Sequence, residues 1–357
     1  MLDSFYKNKK VLVTGHTGFK GSWLCVWLKL LGADVCGYSL DAPSRVNMFD
    51  LVDAGKDILS IKGDIRDPEL LSKSVVEFEP DIVFHLAAQP LVRKSYKDPV
   101  ETYSTNIMGT VNLFEALRQL SNKCAIVNIT SDKCYENKEW VWGYRENDPM
   151  GGFDPYSSSK GCVELITAAY NQSYFMQDGK HICLASARAG NVIGGGDFGA
   201  DRLVPDIVQS IVKKARVHIR FPLSVRPWQH VLEPLSGYMV LAKKLVEEGG
   251  KFQGGWNFGP RSECVRPVKY IVDKIDELWS GEVDWKVDRE KHPHEANILK
   301  LECAKARHLL NWDPNLDIDD ALEWTVEWYR QYPDATKGRM RKITEKQIVA
   351  YMDKSQI

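Results

Sequence analysis

At 357 residues the chain is long enough for about two domains of roughly 150 residues, or for one large α/β domain with additions, and either buries a full core. A composition of 44% hydrophobic and 27% charged residues excludes the disordered, collagen-like and coiled-coil classes. Lys plus Arg at 47 against Asp plus Glu at 48 leaves a net charge of −1 with no nucleic-acid or membrane footprint, so any anionic ligand must be met by local arginines and backbone donors.

No apolar run approaches the ~18 residues of a membrane span, and the opening MLDSFYKNKK lacks the apolar segment of a signal peptide, so a cytoplasmic protein is expected. The eight cysteines, at 25, 36, 124, 134, 162, 183, 264 and 303, form no CxxC pair and no Cys/His set at zinc spacing. They read as reduced, mostly buried small hydrophobes, and no metal is expected.

The first hundred residues alternate short apolar runs with helix-like stretches: KKVLVTG, FKGSWLCVWLKLLG, ADVCGYSL, DPELLSKSVVEFEP and DIVFHLAA. This alternation predicts parallel βαβ units, because parallel strands need a crossover and the crossover is usually a helix. A helix is expected over about 99–120, a doubly buried strand CAIVNITS at 124–131, a helix from Pro155 through YSSSKGCVELITAAYNQSYF, and a strand HICLASARA at 181–189 that completes a doubly wound sheet. After about 190 the texture becomes Gly- and Pro-punctuated, with helices near 203–214, 233–248 and 266–279, a last helix at about 318–331 and a charged tail after Lys337. The expected division is a Rossmann domain at 1–190 and a smaller, mostly substrate-binding portion at 191–357, some segments of which return to the large domain. Trp23 and Trp27, four apart on the first long helix, read as packing residues.

TGHTGFKG at 14–21 sets Gly15, Gly18 and Gly21 directly after a strand and at the mouth of a helix. The turn is tight, the backbone must approach a pyrophosphate closely, and the helix N-terminus offers unpaired N–H donors, so a dinucleotide is the expected occupant. His16, Thr17, Phe19 and Lys20 belong to the same cradle. An acid about 20 residues on accepts from the ribose 2′-OH in NAD-binding chains; here it is Asp41, or Ser39 in a shifted register, and Arg45 just beyond would tolerate a phosphate. NAD is the favoured reading. Asp64 and Ile65 follow a third strand, where an acid can accept from the adenine amino group, and Leu86, Ala87 and Ala88 of HLAAQ bring small residues to the end of the fourth.

Tyr156 and Lys160, four apart on a predicted helix, share one face, where the lysine can lower the tyrosine's pKa. Ser131 ends the preceding sheet strand, so its hydroxyl and the tyrosine can converge on one carbonyl or carbinol. These motifs together resemble the extended short-chain dehydrogenase/reductase family, in particular its nucleotide-sugar branch, over nearly the whole chain. Asn106 of STNIMGTVNLFEA matches the asparagine that helps shape that family's proton relay.

Within the branch, 4,6-dehydratases carry a Thr/Ser-Asp-Glu run, the Asp acting as acid at the C6 hydroxyl and the Glu as base at C5. Here the run is Ser131-Asp132-Lys133: the acid matches and the base does not. That departure, with TGHTGFKGSWL and ITSDKCYEN, most resembles the CDP-glucose 4,6-dehydratases. The resemblance implies a lyase that uses and regenerates NAD to turn CDP-glucose into CDP-4-keto-6-deoxyglucose, probing C4 with Tyr156 and Lys160 and C6 with Asp132. Lys133 serves either as C5 base, if neutral, or as electrostatic stabiliser of the enolate.

Substrate contacts implied by the resemblance are Asn191, Arg202, Leu203, Arg220 and Arg226, with Gln89 and Arg93 near the sugar or capping their loop. His292, His294 and Glu295 fall in the family's late phosphate loop. A homodimer built on the helices after Pro99 and Tyr156, and a place in deoxysugar and polysaccharide biosynthesis, are implied too. The rival readings are a nucleotide-sugar 4-epimerase and a catalytically silent NAD-binding regulator.

Overall fold

The computed structural model describes residues 2–176, 181–290, 298–333 and 335–356; His292, His294 and Glu295 lie outside them. Seven parallel strands form the central sheet: β1 (Lys10–Thr14), β2 (Asp34–Ser39), β3 (Leu59–Lys62), β4 (Ile82–His85), β5 (Cys124–Ile129), β6 (Ile182–Ala189) and β7 (Gly254–Phe258), in the order β7-β6-β5-β4-β1-β2-β3. Val11 stands opposite Val35 on one side and Ile82 on the other. The order therefore reverses at β1, and the crevice beyond the carboxyl ends of β1 and β4 is where such sheets bind ligands.

The apolar runs VLV, IVF and CAIVNI are continuous rather than alternating because both sheet faces are covered. Val11 and Val13 enter one core, with Trp23, Trp27 and Trp256. Leu12 between them points into the other, with Phe114 and Leu113, as the pleat dictates.

The flanking helices are α1 (Leu2–Tyr6), α2 (Phe19–Leu30), α3 (Pro68–Phe78), α4 (Gly109–Leu117), α5 (Pro155–Tyr170), α6 (Leu203–Lys213), α7 (Leu232–Glu248), α8 (Val268–Leu278), α9 (Ile318–Arg330) and α10 (Lys337–Ser355). Asp-Pro opens α3, the short helix Pro99–Tyr103 and α5 in the same way. The carboxylates of Asp67, Asp98 and Asp154 accept from backbone N–H groups of the first turn, and proline takes the first helical position, where its missing N–H costs nothing.

Three features depart from the sequence reading. The long helix at 99–120 is interrupted by a π turn, Ser104–Met108, that carries Asn106. The opening residues form α1, which the sequence reading did not contain. The charged tail after Lys337 is a 19-residue helix, whose buried Met340, Thr344, Gln347, Ile348 and Tyr351 recur at helical spacing; its low apolar content hides a narrow stripe that only a packed partner makes stable. Helix α10 lies on α2: Trp27 Nε1 donates to Met352 Sδ at 3.2 Å, and the Trp27 and Tyr351 rings meet edge to face at 5.7 Å. Trp27→Ala is expected to cost about 3–5 kcal/mol of stability, read as a lower denaturant midpoint at unchanged slope.

β7 comes from the second half of the chain yet pairs with β6, and α7 packs against β5 and β6. The second half also contributes three two-stranded pairs, Val192–Ile193 with Gln229–His230, Val225–Pro227 with Val265–Pro267, and Val217–Ile219 with Trp285–Val287. Among the described residues no helix is long and apolar enough to cross a membrane, and the eight cysteines are free thiols.

Candidate active site

Gly15 and Gly21 are required to be glycine for different reasons, and Gly18 marks the helix end between them. Gly15 has φ +73°, and a Cβ there would lie 2.7 Å from Ala87 N, so the turn needs glycine both for its backbone and for its approach to β4. A Cβ on Gly21 would lie 2.3 Å from Gly15 O, so α2 can start this close to the turn only without a side chain. Gly18 is the N-cap of α2, and no side chain caps that terminus, which leaves its donors to an anionic ligand. Gly21→Ala is expected to weaken dinucleotide binding roughly tenfold or more, equivalent to about 1.4 kcal/mol, measured by calorimetric titration.

Beside this turn His16, Thr17, Ser39, Asp41, Arg45 and Lys62 line a cavity of about 320 Å³. Ser39 ends β2 and is bound to Thr17 (Oγ–Oγ1 2.8 Å), while Thr17 also donates to Leu40 O at 3.0 Å. Asp41 lies two residues further out, 77% exposed and paired with Lys62. His16 lies over Gly37, with Nε2 2.8 Å from Ser60 Oγ; burial lowers its pKa to about 4, a backbone hydrogen bond at Tyr38 acting against this, so the ring is neutral. The Asp64 carboxylate receives the backbone N–H and guanidinium of Arg66, and Ile65 is buried against Gly109. Phe19 opens α2 and packs on the 194 loop. The cradle fits a dinucleotide: small residues face the turn, the helix end is uncapped, and a hydroxyl and an acid stand at the end of β2.

Behind the turn runs an ordered chain of hydrogen bonds. Ala87 N–H donates to Thr14 Oγ1 (3.2 Å), whose hydroxyl lies 2.7 Å from His85 Nδ1; His85 Nε2 lies 3.1 Å from Thr110 Oγ1, which donates to Asn106 O at 2.7 Å. Because the Thr110 proton is committed to Asn106, His85 carries its proton on Nε2 and accepts from Thr14 on Nδ1. The Asn106 carboxamide accepts from Gln89 N (2.8 Å) and donates to Ser159 Oγ (2.9 Å), tying the π turn to α5. Gln89 itself is turned into its loop, bound to Leu91 and Thr102. Leu86 hydrogen-bonds back to β1, and Ala87 and Ala88 stand half-buried at the β4 end.

Ser131 follows β5 and caps the short turn Asp132–Cys134. Its hydroxyl accepts from Lys133 N (3.2 Å), donates to Asp132 Oδ1 (3.0 Å) and meets the Tyr156 hydroxyl. The other carboxyl oxygen, Asp132 Oδ2, is buried and has no hydrogen-bond partner among the described residues. Burial raises the pKa of Asp132, opposed by Lys133, Ser131, Arg226 and Lys20. Burial also pushes Tyr156 up to about 12, the hydrogen bond with Ser131 acting the other way. Lys160 is buried on the same helix face and donates to Ile129 O at 3.3 Å; burial lowers it to about 8. Lys133 stands half-buried beside Asp132. Lys20 is half-buried with its ammonium 5.9 Å from the Tyr238 ring, and burial followed by Arg202 lowers it to about 8.

Across the crevice Arg202 precedes Leu203 at the head of α6 and holds Asp197 at 2.8 and 2.9 Å. Arg93 and Arg220 both reach Asp201, at 2.8 and 3.4 Å. Arg226 donates to Val225 O and its charge reaches Asp132. Asn191 O accepts from Gln229 N, pinning its loop next to the β6 end. Lys20, Asp132, Tyr156, Arg202 and Arg226, far apart in sequence, are thus electrostatically coupled. Sequence reasoning missed His85, Asp197 and Tyr238; His85 opens the HLAAQ run and could have been found there, whereas no motif marks Asp197 or Tyr238.

A sequence profile of the GDP-mannose 4,6 dehydratase family matches residues 12–325. The chain belongs to that family. A CDP-glucose 4,6-dehydratase of Salmonella typhimurium is 56% identical to this family member over 336 residues, 93% of this chain and 94% of the relative. A dTDP-glucose 4,6-dehydratase of Xanthomonas campestris is 24% identical, over 89% of this chain and 92% of its own. The fold of this dehydratase family member is also that of a UDP-glucose-4-epimerase from Stenotrophomonas maltophila, solved with bound NAD and formylated UDP-arabinopyranose. That structure has a TM-score of 0.80 at 22% identity and covers 92% of this chain and 100% of the other.

Proposed function

We propose that the chain is an NAD-dependent CDP-glucose 4,6-dehydratase, forming CDP-4-keto-6-deoxyglucose and water. The observation that carries this reading is the Ser131–Asp132–Tyr156 cluster. A buried carboxyl, its pKa raised and one oxygen unpartnered, stands beside the tyrosine that serves C4. A 4-epimerase needs the tyrosine but has no leaving group at C6 to protonate. The 56% identity to a CDP-glucose 4,6-dehydratase over nearly the full length of both chains supports the same substrate.

The Gly15–Gly21 turn, Ser39, Asp41 and the ends of β3 and β4 would hold NAD⁺, which when bound would supply the hydride acceptor for C4 and the hydride donor for C6. Tyr156, with the Ser131 hydroxyl beside it and Lys160 supplying positive charge, takes the C4 hydroxyl proton. The resulting ketone acidifies C5–H. Asp132, its pKa raised by burial, then delivers a proton to the departing C6 hydroxyl, and the orphaned Oδ2 is where that oxygen docks. The C5 proton passes to Lys133, one residue on, and the ammonium so formed stabilises the enolate. Asn106 holds the β4 loop to α5 and so fixes Tyr156 relative to the nicotinamide end of the crevice. Arg202, Arg220, Arg226 and Arg93, with Asn191 and Leu203, form the face that receives the diphosphate and sugar.

The exposed Val100, Tyr103 and Met108 before α4 and Leu165 on α5 support a homodimer through these helices. A cytoplasmic setting keeps the eight thiols reduced. The test is incubation with CDP-, UDP- and dTDP-glucose, with and without added NAD⁺, following the alkali-induced absorbance of a 4-keto-6-deoxysugar. Signal from CDP-glucose alone is expected; a 4-epimeric hexose in place of that chromophore would replace this reading with the epimerase.

A further inference from the structure

Glu164 lies on α5 one turn beyond Lys160, on the same face, and is buried. Its oxygens accept from the Thr130 hydroxyl, from Ser186 Oγ (2.6 Å) and from Arg188 Nη2 (2.8 Å). Arg188 continues the network, donating to the Tyr135 hydroxyl at 2.6 Å, and Tyr135 donates to Asn257 Oδ1 at 2.7 Å. Glu164 therefore joins the residue next to Ser131, the helix of Tyr156 and Lys160, and strand β6, and through Arg188 and Tyr135 the network reaches β7.

A buried ion pair adds little stability over well-packed apolar residues of the same volume, so stability does not account for a carboxylate here. Its electrostatic effect does. Burial pushes the Glu164 pKa up, but the charge and hydrogen bonds of Arg188, with those of Ser186 and Thr130, outweigh it and keep the group ionised. Lys160 is faced by Glu164, by Cys134 on the turn after β5, by neutral His85 at the β4 end, by the Lys20 ammonium from α2, and by Tyr156 one turn back. Burial drives Lys160 towards the neutral amine, Lys20 carries like charge, and Glu164 is the ionised group that opposes both.

We propose that Glu164 is a positioning residue for the reaction: held ionised by Arg188, it keeps Lys160 in the ammonium form and clamps the Ser131 strand end to the Tyr156–Lys160 helix. The proposal rests on the reading of Tyr156 and Lys160 as the proton-transfer pair. The sign follows: ammonium is the working form, so activity is lost as pH rises through the Lys160 pKa, and removing the Glu164 charge brings that loss to lower pH.

The test is a carbon-13 NMR titration of the lysine ε-carbons in the full-length protein, with Lys160 assigned by its absence in Lys160→Met, set beside the pH profile of turnover. In Glu164→Gln the Lys160 midpoint is expected to fall from about 8 by about one pH unit, with the high-pH limb of turnover following, while Glu164→Asp keeps the parent midpoint. Arg188→Gln reaches the same charge from the other side, since a buried carboxyl without its guanidinium takes up a proton, and should move the midpoint the same way; it decides the matter if Glu164→Gln does not fold. An unmoved midpoint overturns the proposal. A midpoint that moves while the turnover limb stays put overturns the underlying reading of Lys160 instead.

Discussion

Tyr156→Phe is expected to lower turnover of CDP-glucose by about 10²–10⁴-fold, the usual worth of a positioned proton-transfer group, with KM and dinucleotide affinity close to those of the parent. The substitution removes one oxygen and almost no volume. The backbone N–H of residue 156 keeps its bond to Ser95 Oγ (3.1 Å), Asp154 still caps α5, and Ser131 keeps its contacts with Asp132 and Lys133. What is lost is the atom proposed to take the C4 hydroxyl proton. Steady-state kinetics with tight-binding controls check this; turnover within roughly tenfold of the parent, below the range for such groups, sinks the assignment.

Asp132→Asn separates the two halves of the reaction. Asparagine fills the same space and can still bond to Ser131, but it has no proton to give to the C6 oxygen. C4 oxidation is expected to persist, visible as the absorbance of reduced nicotinamide on mixing enzyme with CDP-glucose, while the 4-keto-6-deoxysugar falls by about 10²–10⁴-fold. Both signals falling together would place Asp132 in C4 chemistry or in substrate binding instead. The result also discriminates against an epimerase, for which the carboxyl would be dispensable.

Much of this was legible before folding, for reasons specific to each segment. Apolar runs of four to six residues between helix-period stretches show the parallel sheet, because strands covered on both faces cannot alternate. Gly15, Gly18 and Gly21 show the turn because only glycine permits a Cβ-free approach to Ala87 and to the helix's own start. Tyr156, Lys160 and Asp132 stand at local spacings that a motif can carry. The helix α10 was also present as a pattern, in Met340, Thr344, Ile348 and Tyr351, but a thin stripe in a charged segment reads as a tail until α2 is there to receive it.

Other features had no local signature. Gln89 is a polar residue beside a strand end in sequence; only the fold turns its amide onto Leu91 and Thr102 and away from the cleft. Glu164 is one more glutamate on an amphipathic helix until β6 brings Arg188 and Ser186 against it. By itself the sequence determined the strand-and-helix order, the dinucleotide turn and the local pairing of Tyr156 with Lys160 and of Ser131 with Asp132, since these depend on backbone freedom and on spacings within one turn or one pleat. The tertiary structure decided the direction of the proton affinities: which carboxyl has its pKa raised, which lysine is driven towards neutrality and which charge opposes it. Those depend on burial and on charges contributed by β4, β5, β6, α2 and α6, and desolvation and Coulomb energy depend on distances in space that a linear chain does not contain.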